Sequence, residues 1–120
     1  MSNILVIDDQ PFIGELLSEE LADEGHHITC LGDADYLMSS LEESRPDIIL
    51  LDLYLRGFEG WDLLHRIKEY DPSVPVLIVS AYDSFVNDER LAEADGYVVK
   101  DINTDKLKQK IHENLTSKKS

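Results

Sequence analysis

Four places in this 120-residue chain put a chemically active side chain at the end of an apolar run. They are Asp8-Asp9 after residues 4–7, Asp52 after 48–51, Ser80-Ala81 after 76–79, and Lys100 after 97–99. Carboxylates, a hydroxyl and an ammonium group in such company can carry phosphoryl transfer. Three carboxylates brought together repel, since one pair at about 4 Å and an effective dielectric near 20 costs roughly 4 kcal/mol. A cation must balance them. An all-oxygen cluster suits a hard ion such as Mg2+, which keeps several waters and accepts one or two carboxylates plus phosphate oxygens. Lys100 adds a second positive charge. A carboxylate attacks phosphorus competently once charge on the transferring oxygens is neutralised. Asp52 follows the most hydrophobic run and is the candidate nucleophile. Asp8 and Asp9 begin a loop from which they can face a cation, and Ser80 can donate a hydrogen bond to the phosphoryl group.

These side chains meet only if the runs are neighbouring strands. Residues 4–7, 28–31, 48–51, 76–79 and 97–99 are continuous and rich in β-branched types, as strands covered on both faces of a parallel sheet should be. Parallel strands need long crossovers, and the intervening segments read as helices. The first has Phe12, Ile13, Leu16, Leu17 and Leu21 on one face, with Pro11 at its start and Gly25 at its end. The second carries Tyr36, Leu37 and Leu41. A third runs from about 60 to 70 through Trp61, Leu64 and Ile67, and stops at Asp71-Pro72. The fourth, near 85–94, is weakly apolar, and the last follows a cap at Asn103 or Thr104 with Leu107, Ile111 and Leu115 along one side. Alternation over the whole length predicts a three-layer α/β sandwich of five (βα) units in one domain, 1–116, followed by a polar tail, 117–120. In open parallel sheets, sites form at the carboxyl ends of the strands.

Composition narrows the function. With 25 acidic against 11 basic side chains the net charge is -14, which disfavours direct nucleic-acid binding and points to protein partners. The longest apolar runs are far short of the about 20 residues of a membrane span, and no basic segment leads into a hydrophobic signal, so the expected location is cytoplasmic. Cys30 is the only cysteine, excluding a disulfide framework, and reads as core packing. His26, His27, His65 and His112 share no metal-ligand spacing and read as surface or partly buried residues.

Five motifs in order make the chain resemble the response-regulator receiver domains of two-component signalling over nearly its whole length. They are Asp8-Asp9, Asp52 in Leu50-Leu51-Asp52-Leu53, Gly60 eight positions on, Ser80-Ala81, and the spacing of Tyr97 to Lys100. The resemblance implies a flavodoxin-like strand order 2-1-3-4-5 and a phosphoacceptor at Asp52. It also implies Mg2+ or Mn2+ held directly by Asp9, Asp52 and the backbone carbonyl of Tyr54, with Asp8 acting through water. Ser80 and Tyr97 would be the switch residues, altering the face made by helix four, strand five and helix five. The implied partners are a sensor histidine kinase or phosphotransfer protein as donor and a downstream protein or output domain, with phosphorylation-dependent homodimerisation compatible. Such a domain catalyses only its own phosphorylation and dephosphorylation.

Two departures stand out: Arg56 and Asp101 occupy positions where the family often has proline. Families with the second proline commonly hold that peptide cis, which without proline costs about 3 to 4 kcal/mol, so Lys100-Asp101 is where this chain can set its lysine differently. Tyr54 and Tyr82, two residues after Asp52 and Ser80, would by the same resemblance flank the route of the hydrolytic water and slow dephosphorylation. Each motif also has a plain reading: Asp8-Asp9 as a helix start, Ser80 as a turn hydroxyl, Lys100 as a solvated lysine, Tyr97 and Trp61 as packing. Rival functions are weaker. An aspartate-nucleophile phosphohydrolase would want a second acid where Tyr54 stands, a flavodoxin-like cofactor binder would want an anion-cradling loop where Asp8-Asp9-Gln10-Pro11 stands, and a nucleotide P-loop is absent. A phosphate-independent receiver-like adaptor is the remaining alternative.

Overall fold

The five apolar runs form five strands, β1 Asn3–Ile7, β2 His27–Leu31, β3 Ile48–Leu51, β4 Val76–Ser80 and β5 Gly96–Val99. This is a computed structural model describing residues 2–10, 12–32, 35–55, 58–80, 87–100 and 104–119, the side chains of Ile13, Tyr54, Leu55, Phe58, Glu59 and 116–119 excepted. The strands are all parallel and hydrogen-bonded in the order β2-β1-β3-β4-β5, as the resemblance implies. A short antiparallel pair, Tyr54–Leu55 with Phe58–Glu59, follows β3 and was not legible as a separate feature.

Because successive side chains in a strand point to opposite faces, one continuous apolar run can feed two cores. Leu5, Ile7, Ile49, Leu51, Val76 and Ile78 pack on one side with helices α2 (Leu37–Ser44) and α3 (Gly60–Tyr70). Ile4, Val6, Ile48, Leu50, Leu77 and Val79 pack on the other with α1 (Phe12–Ala22) and α4 (Asp105–Lys119). The predicted core face of the last helix is correct, with Leu107, Ile111 and Leu115 all buried. Its backbone is helical from Asp105 through Lys119.

Several expectations need correcting. Residues 85–94 do not form a full helix among the described residues; a single 3-10 turn spans Glu89–Glu93 and buries none of its side chains, because Leu91 and Ala94 alone offer too narrow an apolar face. Phe12 is 41% and Tyr36 68% exposed, since each stands at the entry of its helix rather than on its inner face. Cys30 is exposed too, because β2 is an edge strand. Its sulfur lies where Gly14 has no side chain: a Cβ there would sit 2.5 Å from Sγ. Partial shielding of its sulfur against α1 and the charges of Asp8 and Glu15 push its pKa up, which disfavours the thiolate.

Two local devices fix the ends of helices near chemistry. Helix α1 closes with Gly25 at φ 84, the Gly25 N–H donating to the Ala22 carbonyl (3.0 Å) and the His26 N–H to the Leu21 carbonyl (3.3 Å), the Schellman pattern expected of a terminal glycine. Helix α4 begins after Thr104, whose carbonyl accepts the first helical bond from Lys108 (2.8 Å) while its buried hydroxyl donates to Glu20 of α1. The other cap candidate, Asn103, lies outside the described residues.

Helix α3 starts so close to β3 that only glycine fits. A Cβ on Gly60 would lie 2.4 Å from the Leu53 Cα and 2.8 Å from the Asp52 carbonyl oxygen, both backbone. Gly60→Ala is therefore expected to lower unfolding stability by about 1 to 3 kcal/mol and to displace the Asp52 backbone. A urea titration with an unchanged midpoint would refute this.

Candidate functional site

Each candidate residue is held by a backbone bond that carries the sheet one step past its strand. The Asp8 N–H donates to the Leu31 carbonyl (2.9 Å), Asp52 N–H to the Ile7 carbonyl (2.9 Å), and Lys100 N–H to the Ser80 carbonyl (2.7 Å). Side-chain parity then sorts them. Asp8, Asp52 and Lys100 stand two residues after Val6, Leu50 and Val98, all three of which belong to the core beneath α1 and α4, so the three side chains emerge on one side. They meet there. The Lys100 Nζ lies 2.7 Å from Asp8 Oδ2 and 3.0 Å from Asp52 Oδ2, and all three side chains are less than a tenth exposed.

Lys100 comes from edge strand β5, yet its partners stand on β1 and β3, so its side chain passes the end of β4. Ser80, the last residue of β4, is fully buried, and its carbonyl is the one that accepts the Lys100 N–H. Asp9 is half-buried beside the pair, and one oxygen each from Asp8, Asp9 and Asp52 lies within 4.8 Å of the others. Oxygens on one octahedral Mg2+ at about 2.1 Å stand roughly 3 to 4 Å apart, so the trio fits a hard divalent ion with small side-chain adjustment. Tyr54, whose carbonyl was the further expected ligand, sits in the short strand right after Asp52-Leu53. Tyr97 is partly buried against the core on the α2 and α3 side, consistent with packing. Tyr82, Arg56 and the Lys100-Asp101 peptide lie outside the described residues.

The plain reading of Asp8 also holds: its Oδ1 accepts from the Gln10 N–H (2.9 Å), closing the turn into α1, while Oδ2 meets the lysine. Burial pushes the Asp8 carboxyl up against the lowering pull of Lys100 and Gln10, with the Asp52 charge pushing the same way as burial. Burial alone would push Lys100 down, but its hydrogen bonds to Asp8 and Asp52 and their charges outweigh that and raise it. The lysine's contribution to stability is thus complete below its ordinary 10.5 and is lost only as pH rises through the raised value.

Trp61, expected to pack, does so and also carries the Arg90 guanidinium 4.3 Å over its ring. His65 and His112 are exposed, and His26 is largely buried. Sequence spacing could not show that His26 and His112 face each other, because the pairing is made by α4 folding back across the α1–β2 turn.

Known proteins share this arrangement. Residues 4–112 match the model of the response regulator receiver domain. The chain belongs to that family. It is 36% identical to the probable transcriptional regulatory protein TcrX of Mycobacterium tuberculosis, over 81% of this chain and 42% of TcrX. It is 34% identical to the DNA-binding response regulator MtrA of Mycolicibacterium smegmatis, over 93% of this chain and 50% of MtrA. The chain thus spans half or less of these relatives' length. Among solved structures, the response regulator TrrA of Thermotoga maritima in complex with Mg2+ and BeF is 32% identical with a TM-score of 0.86, covering 95% of this chain and 99% of that one. TrrA bound to the histidine kinase ThkA superposes with a TM-score of 0.85 at 33% identity, over 96% and 99% of the two chains. The protein is therefore a receiver domain of the two-component response regulators. None of its described helices is long and apolar enough to cross a membrane.

The raised carboxyl sets a stability test. The folded site disfavours charge on Asp8 more than the unfolded chain does, so Asp8→Asn should be more stable than wild type at pH 7 without metal. Its advantage should shrink as pH falls through the raised pKa, where the wild-type carboxyl takes a proton before the unfolded chain does. Thermal melts between pH 7 and pH 4 measure this, and a less stable Asn variant at pH 7 would contradict it.

Proposed function

We propose that this receiver takes a phosphoryl group from a phosphohistidine onto Asp52. One observation carries the reading: Asp52 is 5% exposed, ends β3, and holds Lys100 at 3.0 Å beside an acidic pair able to take a divalent ion. An Asp52 carboxylate oxygen forms the new bond to phosphorus while the phosphorus–nitrogen bond of the donor breaks, and the released imidazole takes a proton from solvent. Asp8, Asp9 and Asp52, with the Tyr54 carbonyl, are the residues to hold Mg2+ or Mn2+, which when bound neutralises charge on the transferring oxygens. Lys100 then pairs with a phosphoryl oxygen, and Ser80 supplies a hydroxyl hydrogen bond. The domain catalyses only this transfer and the hydrolysis of the acyl phosphate to carboxylate and inorganic phosphate.

The phosphoryl group adds about -1.5 to -2 units of charge at the site, which draws Ser80 and Lys100 toward it and raises the population of a second arrangement of β5, with Tyr97, and of the helices beside it. The donor partner is a sensor histidine kinase or phosphotransfer protein; ThkA bound to the similar TrrA supports this. The receiver of the output is a downstream protein or an attached output domain, and the DNA-binding description of MtrA supports the second.

Intact mass after incubation with a small acyl-phosphate donor tests the reading. Wild type should gain one phosphoryl group only with Mg2+, labile to hydroxylamine, and Asp52→Asn should gain none. No gain under any condition would favour the phosphate-independent adaptor. Lys100→Met should slow the reaction by about a hundredfold, the usual scale for loss of one charge-stabilising donor. The rings of Tyr54 and Tyr82 lead us to expect an acyl phosphate lasting minutes or longer at neutral pH, and a half-life of seconds would remove them from that role.

A further inference from the structure

We propose that Glu24, His26 and His112 form a second metal site, taking a borderline divalent ion of the Zn2+ class. The Nε2 atoms of His26 and His112 both face one carboxylate oxygen, Glu24 Oε2, at 4.0 and 3.6 Å. The two ring centroids are 6.0 Å apart with their planes tilted by 59°. Two imidazoles on one tetrahedral Zn2+ with bonds near 2.0 to 2.1 Å place their nitrogens about 3.4 Å and their centroids about 5 Å apart, so closing the site takes a swing of the exposed side chains by about 1 to 2 Å. The side chains that must move are free to do so: Glu24 is 49% and His112 50% exposed, whereas His26 is 10% exposed and set by the Schellman turn at the end of α1. A water completes the tetrahedron.

The chemistry separates this site from the acidic trio. Two nitrogens and one oxygen select Zn2+ and its neighbours over Mg2+, while three carboxylates select the reverse. Position separates them as well. His26 precedes the first residue of β2, at the amino end of the sheet, and Asp8, Asp9 and Asp52 stand at the carboxyl end. A net charge of -14 draws divalent cations to either end. An ion here ties the α1–β2 turn to α4, and gives the receiver a metal input distinct from the phosphoacceptor.

Zn2+ titration by calorimetry of the full 120-residue chain in saturating Mg2+ tests the site. One Zn2+ per chain should bind, Asp9→Asn should bind it equally, and exposed His112→Ala should weaken it at least about tenfold with its circular dichroism unchanged. Glu24→Gln should weaken it as well. In proton spectra, Co2+ should broaden the ring signals of His26 and His112 and spare those of His27 and His65. Unchanged affinity in His112→Ala, loss of binding in Asp9→Asn, or equal broadening of all four histidines would overturn the proposal.

Discussion

The Lys100 ammonium between Asp8 and Asp52 is the interaction on which the rest of the site depends. Two carboxylates, each less than a tenth exposed, stand on adjacent strands because a parallel sheet with β1 beside β3 leaves them no other place. Burial first, and the Asp52 charge beside it, hold the Asp8 carboxyl up. One lysine of raised pKa, 2.7 and 3.0 Å from the pair, offsets part of that charge. A site with more carboxylates than ammonium groups is also one that gains by admitting a cation, so the cost of gathering the acids and the affinity for metal have the same origin.

The sheet supplies the accuracy. Each site residue continues the hydrogen-bond ladder by one step, at 2.7 to 2.9 Å, before the chain leaves for its loop. Gly60 reinforces this from the far side of Asp52, since the start of α3 presses directly on the Asp52 carbonyl with no room for a methyl group. The nucleophile candidate is thus fixed by β1 on one flank and α3 above, and only its carboxylate oxygens are left to adjust.

Much of this was legible in the sequence because the physical rules involved are local. Runs such as Ile48 to Leu51, apolar at every position and bounded by turn residues, suit strands covered on both faces, and the residue following such a strand lies at the carboxyl edge where sites form. Gly60 marked the site through family resemblance, yet the reason for it, a backbone contact within 3 Å, needs coordinates. Cys30 was misread because an apolar run does not reveal that its strand lies at the sheet's edge. Phe12 and Tyr36 were misplaced because helical spacing gives the face of a residue but says little about where the helix begins. The His26, Glu24 and His112 cluster was invisible for a different reason: 86 positions separate its two histidines, and only the return of α4 across the α1 turn brings them together.

Residues 87–95, which lead into β5, are held differently from the site itself. Apolar burial barely holds them, so polar ties along one stripe of α3 take over: Trp61 with Arg90 at 4.3 Å, His65 with Glu93 at 3.1 Å, and Lys68 with Asp95 at 2.8 Å. Positions 61, 65 and 68 are a helical stripe, and the partners descend in step with them. The exposed His65 tie contributes little and exchanges readily with water, while the largely buried Lys68 also donates to the Val74 carbonyl (2.7 Å). Glu93 and then Glu69 hold the His65 imidazole up in pKa, so its tie is charged over a wider range and fades only as pH rises past that raised value. Residues 87–95, fastened by such ties, lead directly into the strand that carries Lys100, so the lysine stands on the less firmly packed side of the sheet. The half of the sheet built on β1 and β3 is closed on both faces by fully buried Leu, Ile and Val.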